Sequence, residues 1–485
     1  MLARIVELRL WTEFTGVPEC FVKDGTPFHA TKSDILKSIL STSCNVDPSV
    51  STDDQDGESF DVYIVDLSVQ IRAKASVRDS LDKEMTYSQF CLSILNGACN
   101  FAKSIGAKRV DLVADMYRID SIKGPTRKKR GTCTGIRFGA GDILPRKSKL
   151  DQYLKNDDFK VDINRLIVNV ASDDLDTDLE FAITDGLKVL KVNEGVPIRE
   201  VWSTIDDLME EADNIVLLHI RDAIECGHNR ILLKTVDSDI IIILLGFMEK
   251  LLECNSDIEV WVKFNSGVNE KLIDMNTTFK ELGGEIASGI MFFHCLYGCD
   301  STTAFFKKSK NVLFKAWKCY PRRTALSEVF KALSFYPSAD TIKSSLPTIN
   351  EFISHVYTDE IVQLNIARFN LYLRCKSLRE LPPSEHALYR HIKRSAFQAG
   401  WIWGNTFHQE RVPYVFDYGW KKDTSSQLAI DWAPDLDRKI LNDFIATCKH
   451  PKSALSNVNC SKCGCAKKDI SCIEPCSCRR KCASL

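Results

Sequence analysis

Three short apolar runs that each close on aspartate constrain this chain more than any other feature. They are FDVYIVD (60 to 66), VDLVAD (110 to 115) and RILLKTVDSD (230 to 239), and IEVWVKF (258 to 264) is a fourth run of the same kind without the terminal acid. Runs this short and this rich in Val, Ile and Leu read as strands buried on both faces. The stretches between them carry apolar residues at helical spacing. Strands alternating with helices predict an α/β fold: a twisted, mainly parallel sheet with helices on both faces. Such sheets bind ligands outside the carboxyl ends of their strands. Asp66, Asp115, Asp237 and Asp239 are therefore expected on one rim. Asp300 follows the apolar segment that ends in LYGCD, and Glu211 and Asp213 stand at the start of a helix in EEADNIVLLH, which adds three more candidates for the same cleft.

One such acid, taken alone, reads as a helix cap or a loop carboxylate. Seven together repel one another, and hard divalent cations such as Mg²⁺ or Mn²⁺, which take carboxylate and water oxygens, are the usual remedy. One or two ions so held activate water and stabilise the leaving oxygen when a phosphodiester is cut.

Charge is segregated along the chain. The net charge is -1, yet residues 116 to 138 hold seven Lys/Arg against Asp120, residues 305 to 323 hold seven against none, and residues 449 to 485 hold eight against two. Basic stripes on an acidic remainder suit a polyanionic ligand that also approaches bound metal. The longest apolar run, IIIILLGFM (240 to 248), has nine residues, about half of what a membrane-spanning helix needs. Arg4, Glu7, Arg9 and Glu13 interrupt the first apolar stretch, so the expectation is an intracellular protein without membrane contact.

Of nineteen cysteines, seven (Cys460, Cys463, Cys465, Cys472, Cys476, Cys478 and Cys482) crowd the last 26 residues, a stretch nearly devoid of large apolar side chains. Such a stretch has no core to fold around, and closely spaced thiolates satisfy tetrahedral zinc, so a structural Zn²⁺ module is expected there rather than a disulfide framework. The chain thus divides into an N-terminal appendage and acidic linker (1 to 58), an α/β core (59 to 325), a helical and Trp/Pro-rich region (326 to 447) and the Cys-rich module (448 to 485). His219, His228 and His294 read as buried, hydrogen-bonded histidines rather than ligands, and Trp401, Trp403 and Trp420 as packing.

The order VDLS (65 to 68), VADMY with its basic sequel (113 to 130), EEAD (210 to 213), VDSD (236 to 239) and GCDST (298 to 302) resembles the flap-endonuclease and XPG branch of PIN-like nucleases. The resemblance implies a metal-dependent nuclease acting on nucleic acid, DNA rather than RNA, with Asp66, Asp115, Glu211, Asp213, Asp237, Asp239 and Asp300 as Mg²⁺ or Mn²⁺ ligands. Asp213 stands where that family has Glu. Lys123 and Arg130 match the separation of the family's two phosphate-gripping residues; RKKR (127 to 130) reads equally as a nuclear-localisation patch or a solvated loop. Closing phrases such as LPPSEHALYRHIKRSAFQAGW (381 to 401) resemble uncharacterised invertebrate proteins associated with mobile elements, and the cysteine tail resembles the tesmin/TSO1 type of CXC motif. That last likeness implies a DNA-contacting zinc cluster; the leading C-x-C pair of the motif is missing here, and Cys448 and His450 are the candidates for the two upstream ligands. The location expected is the nucleus. Two other readings stay open: a catalytically silent DNA-binding scaffold, and a ribonuclease.

Overall fold

The computed structural model describes residues 17–24, 26–40, 59–115, 136–186, 188–193, 196–200, 202, 212–372, 377–408, 410–424 and 427–432. In chain order its strands are β1 (Val22–Lys23), β2 (Thr26–Pro27), β3 (Val62–Asp66), β4 (Arg109–Val113), β5 (Glu180–Asp185), β6 (Lys188–Asn193), β7 (Val196–Glu200), β8 (Arg230–Thr235), β9 (Glu259–Phe264), β10 (Lys271–Asp274), β11 (Trp420–Lys422) and β12 (Leu428–Ile430). The helices that matter below are α1 (Asp34–Ile39), α2 (Leu67–Ser76), α3 (Tyr87–Ser104), α4 (Lys147–Tyr153), α5 (Asp157–Asp173), α6 (Ala212–Glu225), α7 (Ser238–Cys254), α8 (Met275–Leu282), α9 (Gly284–Leu296), α10 (Lys310–Lys318), α11 (Arg323–Ser334), α12 (Ala339–Thr358), α13 (Leu364–Tyr372) and α14 (Glu385–Ala396).

Eight strands form one sheet in the order β10-β9-β8-β3-β4-β5-β6-β7. The five central strands, β9 to β5, run parallel, while β10 at one edge and β6 and β7 at the other are antiparallel. The apolar runs became the parallel centre because every residue of β3 and β4 is buried, and only a strand covered on both faces tolerates an unbroken apolar sequence. Alternation then divides each strand between two cores. Val62 and Ile64 join one cluster with α6, α7 and α9, whereas Tyr63 and Val65 join the other with α3 and α5.

Helix α7 carries the IIIILLGFM run and is buried all round from Ser238 to Met248. It is a central helix and too short to be a membrane span; among the described residues no helix is long and apolar enough to cross a membrane. Gly246 lets α7 approach α9, since a Cβ there would lie 2.8 Å from Met291 Cγ. Beyond α9 the chain is helical through α14, continues through a π-helical turn at Phe397–Trp403, and then runs over the surface through the short β11–β12 pair. The Trp residues there are packed as expected: Trp403 and Trp420 are buried, and Trp401 donates to Pro337 O.

Register places the acids. Asp66 is level with Val113 of β4, and Val65 is level with Lys234 of β8. Asp115 follows two residues beyond Val113 and Asp237 three beyond Lys234, one on either side of Asp66, at the carboxyl edge of the parallel strands. The crossover helix α6 packs on β3 and β4 and opens at Asp213 in its first turn.

Candidate metal centre

The motifs VDLS and VDSD use one local device. In each, a buried strand ends, the aspartate becomes the N-cap of the next helix, and its carboxylate accepts the backbone N–H two residues on: Ser68 N to Asp66 Oδ1 at 2.8 Å and Asp239 N to Asp237 Oδ1 at 2.9 Å. Capping fixes each carboxylate at a helix N-terminus, where the peptide dipoles favour negative charge. Thr235 tightens the second turn by accepting from Asp237 N at 3.0 Å.

The Asp66 carboxyl is pushed up to about 7, first by burial and then by the charges of Asp115 and Asp237, against the opposing pull of the Ser68 hydrogen bonds. Oxygens of Asp213, Asp237 and Asp239 all lie within 4.8 Å of one another, a grouping that can hold a metal ion. Asp213 and Asp239 are buried and Asp237 is partly exposed, so the group opens to solvent on one side. All donors are carboxylate oxygens, the set that hard cations such as Mg²⁺ and Mn²⁺ take.

Asp300 arrives from a different part of the chain. After α9, Gly298 turns the backbone at φ +102°, and Thr302 winds the loop by accepting from Cys299 N at 3.0 Å and donating to Cys295 O at 2.6 Å. This presents Asp300 to the same cleft, where Lys32 ties it to the others. The Lys32 ammonium lies 2.5 Å from Asp300 Oδ2, 2.9 Å from Asp239 Oδ2 and 3.9 Å from Asp237 Oδ2. The structure therefore brings Asp66, Asp115, Asp213, Asp237, Asp239 and Asp300 together. Metal is not the only compensation for their charge, as the sequence had implied: a lysine of the chain is already seated among them.

Asp239 is also held from behind. His294 Nε2 lies 3.0 Å from Asp239 Oδ1, and the buried Lys310 Nζ lies 3.0 Å from His294 Nδ1. Lys310 Nζ is almost as near to Nε2, at 3.1 Å, and so does not select the tautomer; the Asp239 carboxylate only accepts, so the neutral ring carries its proton on Nε2 and donates it to Asp239. Burial, then the Lys310 charge, pushes the His294 ring down to about 4, against the pull of Asp239. Burial likewise pushes Lys310 down to about 8. His294 is thus the buried, hydrogen-bonded histidine expected, but its partner is a site carboxylate. His219 is likewise buried, between Asp111 (2.8 Å) and Thr184 (3.1 Å), and His228 lies 3.4 Å from Glu180.

Two side chains beside the acids escaped the sequence reading. Lys32 sits in a polar stretch, KSD, that reads as solvated, and Lys310 belongs to the 305–323 stripe that reads as a phosphate-facing surface. That stripe is less free than its composition implies. Lys310 is buried, Lys308 bonds Val356 O, Lys307 pairs with Glu380, Arg322 with Glu351 and Arg323 with Glu285. Next to Asp300 opens a cavity of about 280 Å³ whose lining includes His29, Thr303, Trp420, Gln427 and Trp432. Glu211, Lys123, Arg130 and the zinc candidates Cys448, His450, Cys460, Cys463, Cys465, Cys472, Cys476, Cys478 and Cys482 lie outside the described residues.

No family model and no curated protein matches the chain. Among solved structures it is similar to the crystal structure of the T5 D15 protein co-crystallised with metal ions, with a TM-score of 0.34 and 11% identity over 79% of this chain and 96% of that one.

Proposed function

We propose that this chain is a divalent-metal-dependent nuclease that hydrolyses phosphodiester bonds of DNA. The observation that carries the proposal is the convergence of six carboxylates from β3, β4, α6, α7 and the loop after α9 on one edge of a parallel sheet, with the Asp213, Asp237 and Asp239 oxygens within 4.8 Å of one another. That much negative charge with solvent access is poorly suited to binding a phosphate by itself and well suited to binding it through a cation. Bound Mg²⁺ or Mn²⁺ supplies a water of lowered pKa and positive charge against the phosphate oxygens.

The chain's own residues do the rest. Asp213, Asp237 and Asp239 would hold the cation, and Asp115 and Glu211 would add to the ligand set. Asp66, capped onto α2 with its carboxyl pushed up to about 7, would accept a proton from the attacking water or serve as a further ligand. Helix N-termini at Asp66 and Asp237 and the His294 contact to Asp239 hold the carboxylates in place before substrate arrives, so little reorganisation is left for the chemical step. Lys123 and Arg130 orient the scissile phosphate. The cavity beside Asp300, with Trp420 and Trp432 in its wall, accepts an unstacked base next to the cut, in keeping with structure-selective cleavage. The Cys-rich tail folds on zinc and adds DNA contacts, and the protein works in the nucleus, in a role derived from a mobile element.

The test is a Mn²⁺-dependent cleavage assay on matched flap, duplex and single-stranded substrates in DNA and RNA form, with Asp237→Asn as the control. Cleavage of a branched DNA that is lost in the variant supports the proposal. Preferred cleavage of RNA would make the protein a ribonuclease, and equal residual activity in wild type and variant would leave a DNA-binding scaffold.

A further inference from the structure

The Lys32 ammonium among Asp237, Asp239 and Asp300 is not an accident of a long side chain. The segment that carries it is docked along its whole described length. Phe21 is fully buried between Phe305, at 4.9 Å, and His391, at 4.5 Å, and Phe28 packs on Phe306 at 5.3 Å. Backbone hydrogen bonds join Ala304 N to Phe28 O and Phe306 N to Cys20 O, each at 2.9 Å. Ile35, Leu36 and Ile39 are buried, and Ser38 donates to Asn311 at 2.9 Å. Ala30 sits against Gly298, whose Cβ position would lie 3.2 Å from Ala30 Cβ. Every one of these contacts is to the stretch that begins at Gly298, or to α14, which packs beside it. Lys32 and Asp300 are therefore held in register by the same interface.

We infer that Lys32 is a built-in second cation of this centre: it occupies the Asp239/Asp300 side permanently, so that one divalent ion, not two, binds at Asp213, Asp237 and Asp239. The inference rests on the metal-centre reading above and deepens it. A metal ion taking Asp239 Oδ2 and Asp300 Oδ2 would need to stand at about 2.0–2.6 Å from both oxygens, which is the space the ammonium fills at 2.5 and 2.9 Å. An ammonium and a divalent ion cannot both stand between Asp239 and Asp300; the one ion is left the Asp213 side, where it shares Asp237 and Asp239 with Lys32. The lysine side chain is partly exposed, and to a phosphate that enters the cleft Lys32 would offer the second positive pole that two-metal enzymes obtain from an ion.

Mn²⁺ titration of the full chain by calorimetry, with electron paramagnetic resonance on the loaded protein, tests this. Wild type and Lys32→Arg should bind one Mn²⁺ per chain with the signal of an isolated ion. Lys32→Met, of similar volume, should bind a second ion at least about tenfold more tightly than wild type does, because one charge within about 4–6 Å shifts cation affinity at a carboxylate by about one to three powers of ten. The two ions, about 3.5–4 Å apart, should then show spin coupling. Two coupled ions in wild type, or an unchanged single ion in a folded Lys32→Met variant, would overturn the inference and leave the metal centre standing. Absence of Mn²⁺ binding in all three proteins would overturn both.

Discussion

Acidification from pH 7 to pH 5 should remove about 2 kcal/mol of folding stability through one side chain, His391. The ring is fully buried; its Nε2 donates to Leu296 O at 2.7 Å, and Nδ1 faces Thr303 Oγ1 at 3.5 Å. Burial, and then the neighbouring Arg394 charge, pushes it down to about 3, against the pull of the Leu296 carbonyl. An unfolded histidine titrates at about 6.5, so as pH falls the unfolded chain takes up the proton first. The contribution is thus complete above about pH 6.5 and is lost as pH falls toward 3, at about 1.4 kcal/mol per unit in between. At pH 5 that is about 2 kcal/mol. The perturbation that isolates it is His391→Gln, which keeps a donor for Leu296 O and has nothing to titrate. Urea unfolding of both proteins, followed by tryptophan fluorescence at pH 7 and pH 5, cancels the other titrating groups. The stability difference between wild type and variant should shift by about 2 kcal/mol in favour of the variant at pH 5. A difference that stays constant across the two pH values would refute the assignment of a buried neutral ring. The consequence reaches the site, because His391 packs on Phe21 and anchors the end of α9, and so ties the Lys32 segment to the loop that carries Asp300.

Asp237→Asn and Asp239→Asn should both lose Mn²⁺ binding by calorimetry, but they should differ in stability. The first removes a partly exposed charge from a repelling group and should leave the melting temperature nearly unchanged, whereas the second leaves Lys32 and His294 without their carboxylate and should cost about 1–3 kcal/mol. Arg109→Met should destabilise by about 3–5 kcal/mol in urea unfolding, because Arg109 pairs with the fully buried Asp111 at 2.7 Å and with Asp222 at 2.6 Å. Elemental analysis of the purified full chain should find at least one zinc, with chelation unfolding the Cys-rich tail and leaving the α/β core folded; a value below one would refute a structural zinc module.

What was legible in the sequence is what depends on neighbours along the chain. A strand buried on both faces has to be apolar throughout, and the Asp that ends it caps the following helix through a hydrogen bond only two residues long, so VDLS and VDSD announced both their elements and the position of their carboxylates. The edge strands were not legible. KVLKVN is apolar only at Val189, Leu190 and Val192 and is broken by Lys191, and VPIRE buries none of its residues, so neither carries much signal without its partners. Convergence of the acids was implied only through the parallel sheet, and tertiary structure decided it: β3 is inserted between β4 and β8, which places Asp66, Asp115 and Asp237 side by side although 122 residues separate the last two. Lys32 lies beyond any local argument. Its own neighbours, Thr31, Ser33 and Asp34, describe a solvated turn. Its place among Asp237, Asp239 and Asp300 follows from Phe21, Phe28 and Ala30 burying themselves against a segment more than 260 residues away. A charge is recruited to a buried centre by the apolar contacts that pin its backbone, and those contacts exist only in the folded molecule.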